Sequence, residues 1–347
     1  MSNSNPAQVR KSAFDVEGDI VHLMPDRARA LGEKALCGMG YSSEHAATIT
    51  DQLIENALSG YTFAGLSRIL AIKGEPKFQE PRRPVSILTE TPNSALIDGG
   101  NNVGYVAVSY AADVVRRKAK KNGFAVVGVN DSYYSGRNAY YVERLARDDL
   151  VAIHTSSAKP RVAPLGGKEA ALGTNPISIG FPSLEGPVII DMGTASIMWG
   201  DLLMMARLGE QLPKGIAIDS EGLPTRDPTA AIAGAVLPFG GHKGYALSFA
   251  VQALGLLAGA ALPRGLSQDY GFLFIAFSPD LTVPTADFKA QMSDLVARIK
   301  ATPKQPGVEE IFVPSERAHR EKALRMEAGF SIDRLLFDQL TQLASET

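Results

Sequence analysis

Apolar positions recur in steps of three and four from Asp26 to about Leu70: Ala28, Leu31, Ala35 and Leu36, then Ala46, Ile49, Leu53, Ile54 and Ala57. That spacing predicts helices. Ser42 or Ser43 stands ahead of Glu44 as an N-cap, and Glu55 supplies charge on the outer face. A proline- and charge-rich connector, GEPKFQEPRRP at 74–84, leads to two short predicted strands, VSILTE and SALIDGG. The pattern then alternates. A helix from about Gly104 to Lys121 passes through Asn122-Gly123 into the β-branched run FAVVGV at 124–129, and a helix over Ala139–Arg147 precedes the strands LVAIHTSS, PISIGFP and VIIDMG. Helices are predicted near 196–209, 242–259, 284–302, 314–327 and 332–344, the last two amphipathic, and no internal repeat is present. Alternation of this kind predicts an α/β fold around a substantial buried sheet.

One stretch breaks the pattern. GYALSFAVQALGLLAGAALP, Gly244 to Pro263, carries no charge and is long enough to suggest a membrane span. Ser248, Gln252, interior glycines and a predominance of Ala point instead to a helix buried on all sides in a soluble core. The 347 residues include 35 Lys+Arg against 37 Asp+Glu, a net charge of −2, which leaves no strong field to hold nucleic acid. With 45% hydrophobic and 21% charged residues the proportions are globular, and the length suits two domains or one large α/β domain. A single cysteine excludes a disulfide framework and any Cys-rich metal site and fits a reducing compartment. Cys37 lies beside Ala35, Leu36 and Met39 and reads as a small core residue. The opening MSNSNPAQVRKSAFDVEGD lacks the apolar segment of a signal peptide and reads as a loose polar arm, so a cytoplasmic location is expected.

A G-x-G-x-x-G fingerprint is absent; Gly99-Gly100-Asn101-Asn102-Val103-Gly104 comes nearest, with the wrong spacing. There is no phosphate-binding G-x-x-x-x-G-K-[ST] and no H-E-x-x-H, and the five histidines show no metal spacing. What stands out is a set of glycine-punctuated polar loops: Asp131 to Asn138, Pro164 to Lys168, Leu172 to Pro176 and Gly240 to Tyr245. Loops at strand and helix ends supply free N–H groups that suit phosphates. His242 and Lys243, set between glycines just ahead of an uncharged helix, are the most pointed of these.

These stretches together resemble the malate/L-lactate dehydrogenase type-2 family, which includes ureidoglycolate dehydrogenase, sulfolactate dehydrogenase and Δ1-piperideine-2-carboxylate reductase. The resemblance runs from about residue 15 to 345. Its most specific parts are VAPLGGKEAALGTNPISIGFP (162–182), VIIDMGTAS (188–196), LPFGGHKGYALS (237–248) and VPSERAHREKA (313–323). It implies a non-Rossmann NAD(P)-binding α/β fold with helical N- and C-terminal segments, and a homodimer with the active site near the subunit interface. The expected division is a flexible arm at 1–14, a helical substrate and dimerisation part at 15–80 and 314–347, and a cofactor-binding α/β part at 81–313. The resemblance also implies roles. Arg68, ending GLSR, matches an arginine that holds the substrate carboxylate; Thr174 matches a substrate-contacting position; Tyr134, Ser135, Gly136, Arg137 and Asn138 match a loop lining the nicotinamide cofactor. Asp191, Met192 and Gly193, His242 and Lys243, and Arg317 and Arg320 match cofactor-contacting positions, and the arginines lean the preference towards NADPH over NADH.

The sequence departs from that family ahead of Arg68 and again in the cofactor loop. Where the family ordinarily reads Asp-Ser-His-Gly ahead of the arginine, this chain reads Thr62-Phe63-Ala64-Gly65, so the expected proton donor is missing. A second histidine, usual in the cofactor loop, is replaced by Tyr134, and Asp201 matches an aspartate of the imine-reducing branch. Reducing a keto acid needs a positioned acid, worth roughly 10²–10⁴ in rate, whereas a cyclic imine can be protonated before hydride arrives. The expected activity is therefore NAD(P)H-dependent reduction of an imino acid of the Δ1-piperideine-2-carboxylate or Δ1-pyrroline-2-carboxylate type. Arg68 would hold the carboxylate, Ala64 would enlarge the apolar share of the site, and Asp201 would lie near the iminium. Tyr61, Tyr133, Tyr134 and His154 are candidates for a substitute proton donor. The alternatives are a 2-keto or 2-hydroxy acid dehydrogenase using such a donor, and a family member repurposed for a non-redox biosynthetic step.

Overall fold

The computed structural model describes residues 19–262 and 269–346, so the arm expected at 1–14 lies outside the described residues. In chain order the first elements are β1 (Ile20–Leu23), α1 (Pro25–Gly38), α2 (Ser43–Leu58), α3 (Ser67–Lys73), β2 (Ser86–Glu90), β3 (Ser94–Val103), α4 (Gly104–Asn122) and β4 (Phe124–Tyr133). There follow α5 (Ala139–Arg147), β5 (Val151–Ser156), β6 (Ile177–Phe181), β7 (Val188–Met192), α6 (Trp199–Leu208), β8 (Ala217–Ile218), α7 (Pro228–Ala233), β9 (Ala235–Val236) and α8 (His242–Leu257). The last are β10 (Phe272–Phe277), α9 (Thr285–Lys300), α10 (Glu316–Ala328), β11 (Phe330–Asp333) and α11 (Arg334–Ala344).

Two compact units result. Among the described residues, one holds the chain up to Lys73 and from Arg320 onward, and the other those between Gly74 and His319. In the first, α1 packs against α2 and α11, and β1 pairs antiparallel with β11. The helical spacing of the sequence is realised as its core: Ala28, Ala35, Leu36, Ala46, Ile49, Leu53, Ile54 and Ala57 are all buried. Ser42 caps α2 by accepting from the His45 N–H at 3.2 Å. Cys37, expected in that core, is only half-buried, because it falls on the last turn of α1 away from the stripe that meets α2.

The second unit is built on a mixed seven-stranded sheet in the order β2-β3-β4-β10-β5-β6-β7, with β3 and β4 parallel and the other neighbours antiparallel. Its core gathers Ile97, Val127, Val129, Tyr141, Phe272 and Phe274 with the apolar face of α4. β10, FLFIAF, occupies the middle of this sheet although no element was predicted there. A second core forms around Val162, Leu202, Leu212 and Val236, beside the two-stranded pair β8–β9.

The uncharged stretch after Gly244 is helical through Leu257 but is not buried on all sides. Gly244, Ser248, Val251 and Gly255 make its one buried stripe, because small residues permit the close approach to β5 and β10. Phe249 (62% exposed) and Leu257 (70%) point away. No described helix is long and apolar enough to cross a membrane.

Candidate active site

In the helical unit the residues of interest sit on one turn. The chain leaves α2, makes a 3-10 turn over Thr62–Ala64 and enters α3 at Ser67. The turn is pinned from both sides. Asn56, fully buried on α2, donates its amide to the Ala64 carbonyl at 3.1 Å, and the Ser67 hydroxyl donates to the Phe63 carbonyl at 3.0 Å. Arg68 follows one residue later, its guanidinium carbon 3.8 Å from the centroid of the Phe63 ring. That contact sets the guanidinium cation against the face of an aromatic ring. Tyr61, 41% exposed, opens the same turn, and Ala64 contributes only a methyl group.

In the sheet unit four loops meet. Residues 134–138 follow β4, and the backbone on either side of that junction is unusual: Asp131 in the strand and Tyr134 after it have φ of 44° and 52°, a left-handed conformation that costs a bulky L-residue energy. The Tyr134 ring packs edge-on to buried Tyr105, with centroids 5.9 Å apart. Gly104, at the start of α4, lets this loop lie close, because a Cβ there would stand 2.8 Å from the Ser135 Cα. The Tyr141 hydroxyl donates to the Ser135 carbonyl at 2.8 Å, while the Asn138 side chain accepts from Ser156 Oγ at 2.9 Å and donates to the Pro176 carbonyl at 3.4 Å. The 134–138 loop is thereby tied to the Thr174 loop.

The Thr174 loop is tied in turn to two others. The Thr174 carbonyl accepts both the N–H and the hydroxyl of Thr194, whose own carbonyl accepts from the Phe239 N–H. Buried Asn175 donates to the Ser248 carbonyl and to Gln252 on α8, both at 3.0 Å, and accepts from the Ala158 N–H. On β7, Asp191 accepts from the Ser178 hydroxyl of its cross-strand partner. Dense packing around the Asp191 carboxyl pushes its pKa up, although one edge of the residue reaches solvent; Ser178, nearby Arg137 and the Ala139 N–H pull the other way.

α8 starts at His242 with no side-chain cap, and Gly240 and Gly241 ahead of it have φ of 57° and 61°. A Cβ on either glycine would meet nothing within 4 Å, so open room lies in front of free first-turn N–H groups, with His242 and Lys243 exposed beside them. These donors fit the diphosphate of a dinucleotide. Met192 is 41% exposed and Gly193 half-buried. Asp201 is half-buried on the first turn of α6, beside Trp199, over whose ring the Arg161 guanidinium carbon sits at 4.2 Å. Arg317 and Arg320 are both exposed on α10; just before that helix, the Ser315 hydroxyl donates to the Ile189 carbonyl of β7 at 2.6 Å. Among the described residues no group of His, Cys, Asp and Glu could hold a metal ion.

Two of the four candidate proton donors are removed by their surroundings. His154 is fully buried between strands, stacked on Phe274 with centroids 3.9 Å apart, and its Nδ1 meets the Leu273 carbonyl at 3.1 Å. Burial lowers its pKa to about 3, so it stays neutral and has no proton to give. Tyr133 is 1% exposed inside the sheet. Tyr61 and Tyr134 remain accessible. Sequence reasoning missed Asn175 and Ser178 as the residues that hold the loops in place, although both stand in the stretch 162–182; the turn-forming Asn-Pro pair at 175–176 was the available signal.

Comparison with known proteins places this geometry among relatives. The family model described as malate/L-lactate dehydrogenase matches residues 23–341. The chain is 34% identical over 344 residues to the malate/(S)-sulfolactate dehydrogenase of Methanothermus fervidus, covering 93% of this chain and 97% of that one. It is 30% identical over 344 residues to Δ1-pyrroline-2-carboxylate reductase 2 of Burkholderia multivorans, covering 94% and 98%. The solved structure of sulfolactate dehydrogenase from Methanocaldococcus jannaschii superposes with a TM-score of 0.84 at 32% identity, covering 94% of this chain and 97% of that one.

Proposed function

The chain belongs to the malate/L-lactate dehydrogenase family and is an NAD(P)-dependent oxidoreductase, and from that premise we propose that it reduces the C=N bond of a cyclic or open imino acid. One observation carries this reading: the turn that presents Arg68 offers Phe63 and Ala64 where the resemblance leads one to expect a serine and a histidine. A keto acid gathers negative charge on oxygen as it is reduced and needs a proton there. An imine is basic enough to take its proton from water first, and the iminium then needs only orientation and charge stabilisation.

The chain's own residues supply both. Arg68 binds the carboxylate through its edge donors and fixes the C=N carbon. Asp201 stabilises the iminium cation, and the aromatic ring of Phe63 and the methyl of Ala64 keep that end of the site apolar. When bound, the nicotinamide cofactor supplies the hydride. Its diphosphate is held by the open α8 N-terminus with His242 and Lys243, and the rest of it by Tyr134 to Asn138 and Asp191 to Gly193, in a fold without the G-x-G-x-x-G turn. Arg137, Arg317 and Arg320 favour NADPH. Thr174 contacts the substrate. The working form is a cytoplasmic homodimer, a reading supported by the exposed apolar face of α8.

A second reading rests on Tyr134. Its left-handed backbone is strain of the kind that accumulates at working residues, and a phenol held there is a candidate acid for a keto acid. NAD(P)H oxidation with Δ1-piperideine-2-carboxylate, Δ1-pyrroline-2-carboxylate, pyruvate and oxaloacetate separates the two. The expected result is turnover of an imine, with Arg68→Met raising its KM by about 10- to 100-fold. Turnover of oxaloacetate with neither imine overturns the first reading in favour of the second, and cofactor binding without oxidation by any acceptor overturns both.

A further inference from the structure

We propose that Asp131 is a positioning residue for the 134–138 loop, held by two cations that the connector 74–84 brings to the end of β4. The proposal rests on the reading of that loop as part of the cofactor site. The connector carries a short 3-10 turn over Pro76–Gln79, and on it Lys77 is buried, with 8% of its side chain exposed. A lysine is almost never buried without a partner. Its Nζ stands 3.8 Å from Asp131 Oδ1. Arg83, near the other end of the connector, bridges two carboxylates: Nη2 donates to Asp131 Oδ2 at 2.8 Å and Nη1 to Asp98 Oδ2 at 2.7 Å.

Hydrogen bonds keep the connector against β3. The Arg83 N–H donates to the Gly100 carbonyl at 2.8 Å, Asn102 Nδ2 to the Arg83 carbonyl at 2.6 Å, and Asn101 Nδ2 to the Lys77 carbonyl at 2.9 Å. β3 and β4 run parallel, and their register shifts between Asp98, which faces Asn130, and Asn102, which faces Ser132, so Asp131 falls at the break. Its backbone is left-handed, three residues before the left-handed Tyr134. Such a conformation persists in a non-glycine residue only where its surroundings hold it. The two cations hold the side chain, and Gly99 lets β3 lie close to the backbone, since a Cβ there would stand 2.8 Å from the Asp131 carbonyl oxygen. The direction in which the chain leaves Asp131 sets where Tyr134 to Asn138 lie. Asp131 therefore acts through the loop and not by contact with the cofactor. Without its charge, fewer molecules hold the loop in the binding-competent place, and the apparent affinity falls by that fraction.

The test is NADPH fluorescence titration and hydrogen–deuterium exchange on the full chain and on two variants, Asp131→Asn and Asp131→Asn combined with Lys77→Met. Asparagine tolerates the left-handed backbone, so the first variant removes charge alone; the second also removes the buried ammonium that the first deprives of a partner. In the unaltered protein NADPH is expected to slow exchange of the 134–138 amides. Each variant is expected to raise the Kd for NADPH at least about fivefold, the low end of coupling between sites, and without cofactor to speed exchange over 131–138 while the β10 amides keep theirs. If NADPH leaves the 134–138 amides unprotected in the unaltered protein, the loop reading fails and the proposal with it. If they are protected but Asp131→Asn binds NADPH as tightly as before, the loop reading stands and Asp131 has no positioning role. Affinity that falls together with faster exchange in β10 marks general destabilisation, and affinity that falls with no change in exchange marks direct contact with the cofactor; either result overturns the proposal. So does affinity that recovers in the double variant, because the loss then came from the stranded Lys77 ammonium. If Asp131→Asn alone does not fold, the double variant is read by the same criteria.

Discussion

At position 64 a half-buried methyl group stands on the turn that precedes Arg68. If that methyl marks a vacated proton donor, Ala64→His refills it. The variant is expected to reduce oxaloacetate at least about tenfold faster than the unaltered protein, within the 10²–10⁴ that a well-placed acid contributes. No gain in keto-acid reduction, with imine reduction intact, would show that the vacancy lies elsewhere. His154 gives a prediction of the opposite kind, about stability alone. Its folded pKa, near 3, lies below the ordinary value of 6.5, so the unfolded chain binds a proton that the folded chain refuses. The stability it contributes is complete above pH 6.5 and is lost as pH falls towards 3. Between pH 7.5 and 5 this one ring should cost about 2 kcal/mol of unfolding free energy in urea titrations. His154→Phe, which keeps the stack on Phe274, should remove that part of the acid limb.

At the scale of elements, the site depends on loops held close by small residues and buried amides. Gly104 is the sharpest case: Gly104→Ala places a methyl against the Ser135 Cα, at 2.8 Å before any relaxation. Overpacking of this order costs roughly 1–3 kcal/mol, so Tm should fall, and NADPH affinity, read by fluorescence titration, should fall at least about tenfold as residues 134–138 shift. An unchanged affinity would separate that loop from the cofactor. These same elements show what a sequence can disclose. α5 was legible to the residue, and the Ser42 cap likewise, because helix periodicity and capping are local. β10 was not, because a strand buried on both faces has no alternation to read, and its partners β4 and β5 come from distant parts of the chain. The motif residues were visible as glycine-rich loops, while the ties that assemble them, Asn175 to α8 and Ser178 to Asp191, exist only once strands and helix have been brought together. The contact of Phe63 with Arg68 was hidden for a similar reason: a five-residue separation has meaning only once Phe63 has been set on a 3-10 turn ahead of α3.

At the scale of the whole molecule, α8 poses the question of what its outer face meets. Its inner stripe is small and buried, yet Ala246, Phe249, Ala250, Ala253, Leu256 and Leu257 form a second, uninterrupted apolar stripe at helical spacing, every member exposed. No described helix has the length and apolarity to span a membrane. Contiguous apolar surface of this kind marks an interaction site, and a net charge of only −2 sets little repulsion against a second copy of the same chain. The stripe lies on the helix whose N-terminus carries His242 and Lys243, so an interface there would order that end of α8 as it formed. The double variant Phe249→Asp, Leu257→Asp should therefore sediment at about half the mass of the unaltered protein and bind NADPH more weakly, since two charges buried in an apolar contact carry a heavy desolvation cost. Sedimentation of the double variant as a dimer, or of the unaltered protein as a monomer, would leave the stripe without a role in assembly.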